Sequence, residues 1–401
     1  MLASACLLSL SLVFILASDS QIETLLALPA WDTLAKAGCL TAIVLAILTG
    51  PVARMPSAVI AYCSLNALAW LITWLRADVS VSGQQATFTT AWLVAPWLVM
   101  TVRLSESGRR LLLRCIGAVS FVSLAFAAAL DLLGVLPLFW TEYTGVQRLG
   151  GLLSSAALAS LSMFGLIACC VLWVADRSWL SPLLIVGHLA VIYASGSRSA
   201  AIVAGLTLAA TFIAGRPRGR AAGLPGYSIL LGASVVAGYV LMTRAVSRSQ
   251  LDSQMGLAGS GRERAWPFFW AKFLEEPLFG HGIGASYRLG ATSSDPIIAK
   301  SFLAPHNFYL QVLVDTGALI GIPLIIALVL TLWTAVKRSD RAVRMVVAAA
   351  VLGIATYAFF DNLVTYVQSG LLLPLLLAAV MTRRDSDEAS VRDRSVGAFA
   401  L

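Results

Sequence analysis

Charge is what this chain has least of. Only 12% of its 401 residues are Asp, Glu, Lys or Arg, whereas 59% are hydrophobic, and the mean hydropathy is +0.86. A soluble surface needs far more charge to stay solvated, so this composition excludes an ordinary soluble globule and makes a bilayer the solvent. Sustained apolar–polar alternation is also missing, which argues against an outer-membrane barrel. Histidine is limited to three residues. The six cysteines (Cys6, Cys39, Cys63, Cys115, Cys169, Cys170) lie in or beside apolar runs without metal-ligand spacing. They read as small packing residues; no disulfide framework, metal site or cofactor is implied.

Long apolar runs fill most of the rest. A spanning helix needs about 20 mostly apolar residues. About twelve runs of near that length lie at residues 2–18, 34–50, 57–75, 88–102, 111–134, 151–174, 180–195, 199–214, 226–242, 307–336, 343–362 and 365–382. The expected fold is therefore all-α: one polytopic transmembrane domain over residues 1–401, with a long loop at 243–306 and a polar tail at 383–401. The first run lacks a basic leader and reads as a retained span, despite a faint cleavage-like "ILASDS".

The formal net charge of +8 suits nucleic acid or a basic inward-facing membrane surface. Threading the runs through a membrane favours the surface. Arg54, "RLSESGRRLLLR", Arg177, "RPRGR", "KRSDRAVR" and Arg383, Arg384, Arg392 and Arg394 of the tail all fall on one side. By the positive-inside rule that side is cytoplasmic, as are both termini, and no nucleic-acid partner is expected. A "DSD" at 385–387 could hold a divalent ion, but it falls in the cytoplasmic tail and reads as solvated.

Three polar stretches interrupt the apolar pattern, all on the opposite, outer side. In "SGSRSA", Arg198 either snorkels to the interface or, among small neighbours, offers its planar fork to a phosphate. In the long loop, "GRERAWPFFWAKFLEEP" places Trp266, Phe269, Trp270 and Phe273 at helical spacing, an interfacial helix pattern. Arg262 and Arg264 open it, either as solvating residues or as anion ligands. The glycine-rich "PLFGHGIGASYR" ends in Arg288 and lacks the preceding strand of a dinucleotide site; it reads as a close-packed turn with a structural His281. His188, inside the seventh run, reads as a hydrogen-bonded packing residue.

The third stretch, "LAPHNFYLQVLVDTGALIG", sets Pro-His-Asn before an apolar helix. Asn307, Gln311 and Asp315 recur every four residues as a polar stripe, and buried polar groups at such depth need partners. His306 heads the stripe. A histidine in that position is either a cap or, facing a loop with several arginines, a base near neutral pH.

"PHNFYLQVLVDTGALIG", together with "GRERAWPFFWAKFLEEPLFGHGIGASYR" and "SGSRSA", resembles the bacterial O-antigen ligase and polymerase superfamily over roughly residues 190–325. Its pattern of His-Asn, nine residues and Gly-x-x-Gly is met up to Gly317, after which Ile320 stands in the last glycine's place and Gly321 follows. The resemblance implies a GT-C-like glycosyltransferase of the bacterial inner membrane with a periplasmic site. It implies an undecaprenyl diphosphate-linked glycan as donor, His306 as catalytic residue, and Arg198, Arg262 and Arg288 as diphosphate contacts. Arg264, Asn307, Gln311 and Asp315 are possible support. A single long periplasmic loop favours a ligase acting on the lipid A core oligosaccharide over an O-antigen or exopolysaccharide polymerase. Inverting, metal-independent transfer is expected. A transporter using Asp131, Asp315 and Asp361 as a coupling path is the rival from another class.

Overall fold

The computed structural model describes residues 2–17, 31–76, 81–141, 146–178, 180–215, 232, 261–363 and 366–381. The expected span at 226–242 apart from Gly232, the start of the long loop, the "RPRGR" loop and the tail with "DSD" lie outside the described residues.

Each other apolar run is helical. The bundle comprises α1 (Leu2–Ala17), α2 (Trp31–Thr49), α3 (Ser57–Arg76), α4 (Val81–Val94) continuing as a 3₁₀ segment (Ala95–Thr101), α5 (Glu106–Leu132), α6 (Ser155–Asp176), α7 (Leu180–Ser195), α8 (Arg198–Ala214), α12 (Phe308–Arg338), α13 (Arg344–Phe360) and α14 (Val367–Val380). Three further helices, α9 (Arg262–Glu275), α10 (Ala285–Ala291) and α11 (Pro296–Ser301), come from the long loop. Five helices, α2, α3, α5, α6 and α12, are long and apolar enough to cross a membrane, and shorter apolar helices flank them. The protein is an all-α polytopic membrane protein.

The fourth run differs from expectation. It starts earlier, at Val81, and tightens to 3₁₀ geometry where Pro96 removes a backbone donor. A small hairpin, β1 (Phe139–Thr141) against β2 (Gln147–Leu149), was not expected either; Trp140 pairs with Arg148 across it.

α6 is the core. Its apolar stretch is buried on every side, as a helix hydrophobic all round must be. Ser154 caps its start by accepting from Ala157 N–H, and Arg177 ends it in the left-handed region at φ 55°. Close packing beside it places the His188 ring against Gly165, between Ser120 Oγ (3.3 Å) and Gly117 O (3.0 Å), with Phe121 at 4.5 Å. His188 is thus a satisfied packing residue, and all six cysteines are free.

Hydrogen bonds define the two ends of the bundle. At one, Phe308 N–H donates to Asp361 O, joining the start of α12 to the end of α13, and Arg148 of the hairpin donates to Ser195 O at the end of α7. At the other, Arg177 donates to Gly215 O, Arg110 pairs with Asp176, and Ser339 bridges Met381. The described part of the long loop, from Gly261, meets the first end where Arg262 donates to Phe360 O.

Candidate active site

Local sequence explains how His306 is presented. Asn307 caps α12, its Oδ1 accepting from Leu310 N–H at 3.0 Å. That cap forces the chain to turn sharply just before it, and His306 takes up φ 48°. Such a backbone conformation costs energy for a residue with a Cβ and is typical of functional positions held by their surroundings. The ring packs edge-on against Phe302, 5.4 Å between centroids, and keeps about a quarter of its side chain exposed.

Behind the ring, Nδ1 faces Asp361 Oδ1 at 3.4 Å. Asp361 terminates α13 and is 7% exposed, and its Oδ1 also accepts from Asn362 N–H. Burial alone would raise the Asp361 pKa. The hydrogen bond and charge of His306, the Asn362 amide and the charge of Arg262 together outweigh burial and hold the carboxyl below its ordinary value. An ionised Asp361 accepts from Nδ1–H, which leaves Nε2 as the ring's basic nitrogen. Nearby, burial and the Asp361 charge push the Tyr366 phenol well above its usual range, with Tyr287 and Arg262 in the same field.

Arg262 begins α9 after Gly261, which adopts φ 81°. One terminal nitrogen donates to Phe360 O at 2.8 Å, while the buried Nε–H has no partner among the described residues. A buried, unpaired donor on a guanidinium suits an anion the site is built to receive. Beside it a groove of about 620 Å³ runs between α9 and α12, lined by Arg262, Glu263, Trp266, Trp270, Asn307, Leu310 and Leu313 among others. Trp266 Nε1–H is fixed on Pro305 O. The aromatic spacing noted in the sequence therefore forms a real helix face: Phe269 and Phe273 turn inward, while Trp270 is half exposed.

The other sequence candidates divide by position. Arg198 is exposed at the first turn of α8, where Ser197 caps Ala200 N–H, and Val203 one turn on packs against Gly353 of α13. Its helix thus packs on α13, whose end carries Asp361. Arg288 is exposed on α10, within electrostatic reach of Asp315. Arg264 lies 3.8 Å from Asp295 and does not join the His306 pair. Gln311 and Asp315 are buried, as the stripe implied. His281 Nε2 meets Lys272 O at 2.7 Å, a structural role.

Two contributors escaped sequence reasoning. Asp361 stood out only as a possible ion-path residue, although an acid closing "YAFFD" after an apolar helix is a signal for a buried partner. Arg76, at the end of α3, clamps the glycine-rich loop through Gly280 O (2.8 Å) and Glu276.

The described residues thus form a polytopic helical membrane protein with an acid–histidine pair and an arginine beside an apolar groove. Residues 183–322, from α7 into the middle of α12, match the model of the O-antigen ligase family. Its members are glycosyltransferase-like enzymes of lipopolysaccharide or related glycan assembly. The matched stretch contains Arg198, Arg262, Arg288, His306 and Asp315 and stops short of Asp361. Comparison with curated proteins gives no match.

Proposed function

We propose that this protein is an O-antigen ligase of the bacterial inner membrane. It moves a glycan from undecaprenyl diphosphate to a hydroxyl of the lipid A core oligosaccharide on the periplasmic face. The observation that carries the reading is the conjunction at one end of the bundle: His306 paired with buried Asp361, beside Arg262 with an unanswered Nε–H, at the head of an apolar groove.

His306 Nε2 takes the proton from the acceptor hydroxyl as that oxygen bonds to the anomeric carbon. The bond from that carbon to the diphosphate oxygen breaks on the opposite face, so configuration inverts, and undecaprenyl diphosphate leaves as an anion. Asp361 stabilises the imidazolium. A diphosphate is already a stable anion and needs no general acid; positive charge suffices, from Arg262 with Arg198 and Arg288. The isoprenoid lies along Trp266, Trp270, Leu310 and Leu313. The contacts of Asp131, Asp315 and Asp361 speak for transfer over transport: Asp131 accepts from Leu138 N–H, Asp315 from Gly284 N–H and Asp361 faces His306, so each acid has its own local partner.

The test offers purified protein in nanodiscs lipid-linked glycan with and without lipid A core. Glycosylated core supports the ligase. Elongation of the donor that ignores the core makes the protein a polymerase. Donor crossing the bilayer without either product favours a transporter.

A further inference from the structure

α12 is not one continuous helix. Gly317 adopts φ 67° and ψ 176°, which breaks the helix two residues after Asp315. The glycine-rich loop docks into this break. His281 N–H donates to Val314 O and Gly282 N–H to Asp315 O, while Ala318 and Leu319 N–H donate to Pro277 O and Leu278 O. Gly280 and Gly317 lie back to back: a Cβ on Gly280 would sit 2.5 Å from Gly317 N, and one on Gly317 would sit 2.3 Å from Leu278 C and O. Only glycine permits both the approach and the backbone angles.

The Asp315 side chain then reaches across to the next element. Its two oxygens accept from Gly284 N–H (Oδ2, 3.1 Å) and Ser286 N–H (Oδ1, 2.8 Å), the opening amides of α10, the helix that carries Tyr287 and Arg288. A carboxylate that answers two buried amides fixes both the position and the rotation of the helix they open.

We propose that Asp315 is a positioning residue that acts through α10, setting Arg288 where it meets the diphosphate of the lipid-linked donor. The claim rests on the ligase reading for the identity of that donor, but the holding of α10 by Asp315 stands apart from it. Asp315→Asn keeps the shape, removes the charge and turns an N–H donor toward amides that are themselves donors.

Two measurements separate the parts. Hydrogen exchange across residues 283–290 is expected to quicken at least about tenfold in Asp315→Asn, with α6 unchanged; an unchanged rate there overturns the positioning role whatever the substrate. Affinity for undecaprenyl diphosphate is expected to fall about tenfold in Asp315→Asn, and the double variant with Arg288→Ala to lose no more than Arg288→Ala alone. Additive losses overturn action through Arg288. Faster exchange together with no binding of undecaprenyl diphosphate by the intact protein would sink the donor reading and the Arg288 step with it, while leaving the hold on α10. Should Asp315→Asn not fold, Asp315→Glu keeps the charge but carries the carboxylate one methylene beyond its seat against Gly284 and Ser286 N–H. The same faster exchange is then expected, and unchanged exchange at 283–290 overturns the positioning role.

Discussion

His306, Asp361 and Arg262 each carry a distinct physical task, and each task can be isolated by one substitution. Arg262 offers a planar fork with one arm on Phe360 O and a buried Nε–H that has no partner among the described residues. A lysine retains the charge but has no Nε–H, so Arg262→Lys is expected to raise the donor KM on the order of tenfold or more, close to the effect of alanine. Full activity with lysine would mean that only charge matters there. For Asp361 the sign comes from its lowered pKa. A carboxyl whose folded pKa lies below its unfolded value of about 3.9 stabilises the fold above that value and loses the contribution as pH falls through the folded pKa. The thermal-stability gap between the intact protein and Asp361→Asn should therefore narrow in strong acid, as pH falls below about 4 and the carboxyl protonates. A gap that persists undiminished in strong acid would contradict an ionised Asp361 in the pair.

Among the elements, the broken α12 is the least ordinary, and its glycine is the most exacting position. Gly317→Ala adds a Cβ at positive φ against Leu278, and it should cost at least about 2 kcal/mol and abolish transfer. Gly205→Ala on α8 meets nothing within 4 Å and should not lower the melting temperature, a matched control. Equal effects from the two would remove the argument from close approach. This is also where sequence legibility ended. Hydropathy located the apolar helices because burial and bilayer exposure act on every residue of a run. Helical spacing likewise revealed α9. The break at Gly317 was invisible, since glycine also occurs inside continuous apolar helices and the apolar run resumes at once with Ala318, Leu319 and Ile320. The partnership of His306 with Asp361 was hidden because two whole helices separate them in the chain, and only packing of α12 on α13 closes that distance.

At the scale of the whole molecule, the end bearing His306 is expected to be periplasmic and the end bearing Arg177 and Asp340 cytoplasmic. Ser294 and Ala342 are exposed at those respective ends. In intact cells of a variant lacking the native cysteines, Ser294→Cys should react with a membrane-impermeant maleimide and Ala342→Cys only after permeabilisation; the reverse pattern would invert the topology. The most direct test of the central claim compares glycan transfer from undecaprenyl diphosphate to lipid A core by the intact protein and by His306→Ala, with donor binding measured alongside. The expected result is a loss of about 10²- to 10⁴-fold in the transfer rate with donor binding retained. Transfer at an undiminished rate by His306→Ala would contradict it.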